Sequence, residues 1–60
     1  MLRDLVTATR IEAARDLLVQ STAPIASIAS AVGFRQTSSF SRAFAAHTGQ
    51  TAQAYRKERT

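Results

Sequence analysis

The chain has 60 residues, no cysteine and a formal net charge of +4, so it forms at most one small domain and has neither disulfides nor thiolate metal sites. A domain of this size buries only about 60% of the surface that its unfolded chain exposes, which leaves little room for a cleft around a drug-sized substrate. No apolar run approaches the roughly 20 residues that span a bilayer, and the N-terminus lacks the apolar core of a secretory signal, so we expect a cytoplasmic protein.

The first predicted helix begins at Leu2 or Arg3 and ends at about Val19. Its apolar residues recur at helical spacing and form one stripe. Arg10 lies at the polar edge of this stripe, where its stem can pack while its charged head reaches outward. The stripe consists of Val6, Arg10, Ile11, Ala13, Ala14, Leu17 and Leu18.

Pro24 opens the second predicted helix, because its fixed φ suits the first helical position and its missing N–H would have no partner there. Either Thr22 or Ala23 would be the N-cap, and Thr22 has the better side chain for it. Gly33 ends the helix, since glycine takes a positive φ without penalty. The buried face of this helix consists of Ile25, Ile28, Ala29 and Val32.

The third predicted helix begins near Gln36 or Thr37 and ends at about His47. Phe40 and Phe44 lie four residues apart, so they share one side of the helix and must face inward. With both rings buried, we expect short polar side chains and one guanidinium on the outer surface. These outward residues are Thr37, Ser38, Ser41, Arg42 and Ala45.

A last short helix is predicted over residues 52–59. Gly49 stops the helix before it, Thr51 supplies an N-cap, and Ala54 and Tyr55 pack back on the domain. The four helices imply an all-α fold with a small core. The predicted core consists of Ile11, Ala14, Leu17, Leu18, Ile25, Ile28, Ala29, Val32, Phe34, Phe40, Phe44 and Tyr55.

Two short helices joined by a glycine turn form the unit that sets its second helix into the major groove of DNA. Ala29 and Gly33 suit this unit, as the small residue at the helix crossing and the residue that allows the turn. Short outward side chains would let the third helix approach base edges, and Arg42 would reach a guanine or a phosphate. The same pattern also fits an ordinary three-helix packing module with a solvated Ser/Thr face, so both interpretations stay open.

The carboxylates are unevenly distributed, since none lies between Leu17 and Lys57. The scattered basic residues of that stretch favour a polyanion as partner, although small soluble proteins are often mildly basic by chance. His47 is the only histidine, and the carboxylates are too far apart to count as a catalytic pair. We therefore expect no enzymatic activity, no metal and no cofactor.

Many residues between positions 10 and 56 recur in a known order and spacing. They are Arg10-Ile11, Ala14, Leu17-Leu18, Pro24-Ile25, Ile28-Ala29, Val32-Gly33-Phe34, Ser39-Phe40-Ser41-Arg42, Phe44, Gly49, Thr51 and Tyr55-Arg56. Together they resemble the C-terminal half of the AraC/XylS-type bacterial transcription regulators. The pattern of that family is roughly R-I-x-x-A-x-x-L-L, I-x-x-I-A-x-x-x-G-F, S-x-F-S-R-x-F and G-x-T-P-x-x-Y-R.

Three positions depart from the family pattern. Ser27 replaces an acidic residue, Ala52 replaces a proline, and Gln36 replaces the Ser, Asp or Asn that caps the recognition helix. The missing cap costs about 1 kcal/mol, unless Thr37 takes over with a later start. We therefore expect the recognition helix to be weakest at its N-terminus.

The resemblance implies a homeodomain-like helix-turn-helix fold of three to four helices, acting as a single DNA-binding domain over residues 1–60. Residues 1–21 would be the linking helix, residues 24–47 the family's second helix-turn-helix unit, and residues 51–59 the short C-terminal helix. Because the family's first unit and its ligand-sensing or dimerising domain have no counterpart here, we expect a fragment of a longer regulator.

By position, the family's base-reading surface falls on the outer side of the third helix, where Thr37 and Ser38 are the better candidates for sequence discrimination. This surface consists of Thr37, Ser38, Ser41 and Arg42. For Arg42, a phosphate contact or local bracing fits as well as base readout. The residues expected to contact phosphates are Arg35, Gln36, Thr51, Arg56 and Lys57. For the last two, an ordinary solvated tail fits equally well.

The expected partner is double-stranded DNA, bound sequence-specifically in the major groove. The resemblance adds RNA polymerase as a second candidate. The alternative function is a protein–protein interaction or dimerisation module that does not bind DNA alone. Leu2, Leu5 and Val6 would pack on the family's first unit, so without that unit they could pair two chains.

Overall fold

The computed structural model describes the backbone of residues 2–59 and the side chains of residues 6–59. Within this range the chain forms four α-helices, which confirms the all-α prediction. They are α1 (Leu2–Gln20), α2 (Ile25–Ala31), α3 (Thr37–Thr48) and α4 (Ala52–Arg59). Among the same residues, no helix is long and apolar enough to cross a membrane. The side chains of Leu2 and Leu5, named above for self-association, lie outside the described part.

α1 extends one residue beyond its predicted end, and it buries only part of its apolar stripe. Ile11, Ala14 and Leu18 are 0% exposed, because positions three and four apart share one face of a helix. Val6 is 50% exposed and Ala13 is also exposed. These two apolar positions therefore lie beside the core rather than in it.

The start of α2 corrects the prediction for Pro24. Its ψ of 152° is extended, so Pro24 is the N-cap and not the first helical residue. The fixed φ of proline is compatible with both positions, and ψ decides between them. No described side chain caps this helix, so the capping predicted for Thr22 or Ala23 is wrong. The Pro24 carbonyl accepts the Ile28 N–H at 3.1 Å.

Gly33 terminates α2 as predicted, with a φ of +103° that residues with a Cβ rarely adopt. Its N–H donates to the Ser30 carbonyl at 3.1 Å, and the N–H of Phe34 donates to the Ala29 carbonyl at 2.9 Å. These two bonds form a Schellman motif, which satisfies carbonyls at the helix end. The turn between α2 and α3 is therefore held by its own backbone.

All four helices contribute to one small core. Its buried side chains are Ile11, Ala14, Leu18, Ile28, Ala29, Phe40, Phe44, Ala52 and Tyr55. The predicted core residues that are only partly buried are Leu17, Ile25, Val32 and Phe34. The inward packing predicted for Ala54 is wrong, because Ala54 is exposed. Ala52 takes its place, since it lies three residues before Tyr55 and shares its face of α4.

α3 begins without a side-chain cap, so a better cap should stabilise the chain. Gln36 is the N-cap residue, with extended backbone (φ −125°, ψ 138°), and no described side chain caps the helix there. Serine is a better N-cap by about 1 kcal/mol, so Gln36→Ser is expected to raise the Tm by about 4–8 °C. Thermal unfolding followed by circular dichroism measures the shift. Gln36→Ala is the matched control, and equal melting of the two variants would contradict the prediction.

Candidate nucleic-acid interface

α3 carries the residues predicted to read bases, and two buried rings determine where they point. Phe40 and Phe44 are 0% exposed, as predicted. Ser38 and Arg42 are exposed and lie four residues apart, on the side of α3 away from both rings. A hydroxyl and a guanidinium therefore form the centre of the exposed side of this helix.

Two further predicted residues complete this surface. Thr37 is exposed because it is the first residue of α3, although its spacing of three from Phe40 places it nearer the buried side. Ser41 is half-buried and lies at the edge between the two sides. We call the whole set the outward face, and it consists of Thr37, Ser38, Ser41 and Arg42.

A row of aromatic contacts sets the rotation of α3 about its own axis. Phe34 packs edge-on against Phe40 with ring centroids 5.5 Å apart, and the Phe40 and Phe44 centroids are 5.7 Å apart. Phe44 then packs edge-on against Tyr55 of α4 at 5.5 Å. Such pairs contribute about 0.5–1.5 kcal/mol each beyond the burial of their area. Because the row runs from the turn through α3 to α4, it orients the outward face.

The exposed residues predicted to contact phosphates lie in three places. Arg35 and Gln36 are in the turn before α3. Thr51 precedes α4, where its Oγ1 accepts the Ala54 N–H at 3.1 Å, which confirms its predicted role as N-cap. Lys57 lies on α4. The contacts of these residues with phosphate stay predictions.

Arg56 differs from the other predicted phosphate contacts because it is half-buried and bonded to the protein. Its Nε donates to the Leu18 carbonyl at 3.0 Å and its Nη2 to the Ser21 carbonyl at 3.2 Å. The last carbonyls of a helix have no partner within it, and α1 has no basic residue in its last turn. Arg56 therefore braces the end of α1. Sequence reasoning missed this role, because the two carbonyls lie 38 and 35 residues before Arg56 in the chain.

A further group of polar and charged side chains joins α1, α3 and α4. Arg15 Nη1 lies 2.8 Å from the Glu12 carboxylate, and Arg15 Nε donates to the Tyr55 hydroxyl at 3.3 Å. The hydrogen bonds to Tyr55 and to Glu12 raise the pKa of Arg15. His47 Nε2 is 3.7 Å from the same carboxylate, and the Arg59 guanidinium lies 4.0 Å from the Tyr55 ring centroid. These side chains are engaged within the fold.

Three exposed cations in the described part of the chain have no such partner. Among the described residues, no carboxylate forms an ion pair with Arg35, Arg42 or Lys57. The same part of the chain holds no group of three His, Asp or Glu side chains that could bind a metal. Uncompensated positive charge therefore lies on the turn before α3, on α3 and on α4, which suits a polyanion.

A protein-family model described as a helix-turn-helix domain matches residues 2–58 of this chain. The match covers α1, α2 and α3 completely and α4 except for its last residue. It includes every residue predicted to contact DNA. No curated protein and no solved structure matches the chain.

Proposed function

This chain belongs to the AraC-type helix-turn-helix family, whose members bind DNA in transcription regulators, and we propose that it binds duplex DNA sequence-specifically with α3 in the major groove. The outward face would read base edges. The residues that would contact phosphates are Arg35, Gln36, Thr51 and Lys57. Arg56 is left out of this set because its guanidinium is hydrogen-bonded to the carbonyls of Leu18 and Ser21. A separate experiment tests whether it also contacts a phosphate.

The proposal treats residues 1–60 as one DNA-binding domain. In it, residues 1–21 are the linking helix, residues 24–47 the helix-turn-helix and residues 51–59 the C-terminal helix. The predicted cytoplasmic location belongs to the same proposal, because a bacterial regulator meets its DNA there.

The observation that carries the proposal is the complete burial of Phe40 and Phe44. With the rings inside, Ser38 and Arg42 occupy the exposed side of α3. A short side chain lets the helix axis approach the base edges, where a hydroxyl can donate or accept a hydrogen bond. Arg42 can make a bidentate contact with guanine or pair with a phosphate.

Binding to duplex DNA as a function of salt tests the proposal. The probe is the duplex that the wild-type chain selects from a random-sequence library. If about four phosphates are neutralised, the plot of log K against log salt concentration should have a slope near −3.6. A single unit buries about 600–1,000 Å² of protein surface, so we expect modest affinity. Absence of salt-dependent binding at low ionic strength, or of any enriched sequence, would contradict the proposal.

Two variants, measured in the same binding experiment, test whether the outward face contacts the DNA. Arg42→Ala is expected to weaken binding to the selected duplex about tenfold, as for a guanidinium that contacts a base. Arg59→Ala is the matched control, because it removes the same charge from a side chain that stacks on Tyr55 and lies outside the outward face. Equal losses in the two variants would mean that net charge alone decides the affinity.

A protein–protein module is the second candidate, because Val6 is 50% exposed on α1. An apolar side chain at this end of the helix could pair two chains or pack on another domain. Sedimentation at rising concentration separates the two functions, since a strictly monomeric chain that binds DNA excludes the dimer. A contact with RNA polymerase stays a prediction from the resemblance.

A further inference from the structure

The side chain of Arg10 reaches from α1 to the turn that precedes α3. Its Cζ lies 5.8 Å from the centroid of the Phe34 ring. A Cβ added to Gly33 would lie 3.2 Å from both Nε and Cζ of Arg10 and 3.5 Å from its Nη2. The guanidinium therefore covers the glycine of the turn, in space that a side chain at this position would occupy.

Phe34 connects this contact to the proposed recognition helix. Its N–H closes the end of α2 by donating to the Ala29 carbonyl, and its ring packs edge-on against Phe40, which is fully buried in α3. Arg10 is thus connected to α3 through one ring, that of Phe34, so its replacement is expected to affect the packing of Phe40. The planar guanidinium is suited to such a contact, since it stacks on aromatic faces and is less strongly hydrated than an ammonium group.

We propose that Arg10 is a positioning residue for DNA binding, which holds the turn and so sets the angle of α3 relative to α1 without contacting DNA. This inference rests on the proposed function. The competing interpretation is that Arg10, which is exposed, contacts a phosphate itself. The two differ in what the residue must be. A group that covers Gly33 and faces the Phe34 ring at once must be broad and planar, like a guanidinium, whereas a phosphate contact needs only a cation.

Binding of Arg10→Ala and Arg10→Lys to the selected duplex distinguishes these interpretations. Positioning predicts that both variants lose about fivefold in affinity, and that the slope against log salt concentration stays at the wild-type value. A phosphate contact predicts that Arg10→Lys binds like the wild type and that Arg10→Ala lowers the steepness of the slope by about 0.9. That second result would overturn the inference.

Arg35→Ala is the matched control for charge. Arg35 is exposed in the same turn and is proposed to contact a phosphate. Its variant should therefore reduce the slope by about 0.9 and weaken binding to the selected duplex and to a scrambled duplex alike. Arg10→Ala should weaken binding to the selected duplex more than to the scrambled one.

A measurement without DNA tests the contact separately. Thermal unfolding of Arg10→Ala, Phe34→Leu and the double variant forms a double-mutant cycle. We expect Arg10→Ala to lower the Tm by about 4 °C in the wild-type background and by clearly less when Phe34 is already replaced. Additive shifts would overturn the inference even if the chain binds DNA. If the cycle shows an interaction between Arg10 and Phe34 but the chain binds no duplex, the contact is established. The proposed function is then refuted, and with it the role of Arg10 in binding.

Discussion

Replacement of Phe40 by alanine is expected to leave the chain largely unfolded at room temperature. The ring is 0% exposed and packs against both Phe34 and Phe44, so the variant loses buried area and two ring contacts. Truncation of a buried phenylalanine to alanine costs about 3–5 kcal/mol. A natural chain of this length has a stability of about 3–9 kcal/mol, so the loss is comparable to the whole. Circular dichroism and urea unfolding measure the effect.

Phe40→Leu is the matched control, because leucine refills much of the space with an apolar side chain. We expect it to cost about 1.5 kcal/mol and to leave a folded chain. That chain should bind DNA more weakly than the wild type, since the edge-on contact with Phe34 no longer sets the rotation of α3. If Phe40→Ala melts within a few degrees of the wild type, the central position of this ring in the core is wrong.

The helical architecture could be predicted from the sequence because local rules determine it. Phe40 and Phe44 are four residues apart, and that spacing alone places both rings on one side of a helix. Gly33 and Gly49 mark helix ends because both have a positive φ that few other residues adopt. The exposed side of α3 follows from the same spacing, so the positions of Ser38 and Arg42 on that side were predictable too.

The errors occur where local rules allow two answers. Proline suits both the N-cap and the first helical position, so the fixed φ of Pro24 could not decide between them. In α4, by contrast, helical spacing alone places Ala52, three residues before Tyr55, on the same face, so the prediction for Ala54 was wrong although the sequence contained the answer.

Long-range contacts of charged side chains could not be predicted at all. Arg56 bonds to carbonyls 38 and 35 residues away, and Arg10 covers a turn more than 20 residues further along the chain. No spacing rule connects such positions, because they meet only when the helices pack. The sequence places Arg10 at the polar edge of the stripe on α1, and Arg56 either at a phosphate or in a solvated tail. In the fold, each guanidinium joins two elements.

Arg56→Ala is expected to destabilise the chain by about 2–3 kcal/mol, whereas Lys57→Ala should change its stability by less than about 0.5 kcal/mol. Hydrogen bonds to a charged group contribute about 1.5–3 kcal/mol, and a cation at a helix C-terminus adds about 0.3–1 kcal/mol. Arg56 makes two such bonds at the end of α1, while Lys57 is exposed and substitutions at such positions have small effects. Urea unfolding of the two variants, which lose the same charge, measures the difference.

In a salt titration of DNA binding, Lys57→Ala is expected to have the larger effect, whereas Arg56→Ala has the larger effect on stability. Lys57→Ala should reduce the steepness of the slope by about 0.9, as expected for one lost phosphate contact. Arg56→Ala should keep the wild-type slope at temperatures where it remains folded, because the guanidinium that it removes bonds to the carbonyls of Leu18, in α1, and Ser21, just after it. A stable Arg56→Ala variant with a reduced slope would show instead that Arg56 contacts phosphate, as its sequence position predicted, and that its bonds to α1 contribute little. Arg56 therefore acts as a brace only if its replacement lowers the stability without changing the slope, while the replacement of Lys57 changes the slope without lowering the stability.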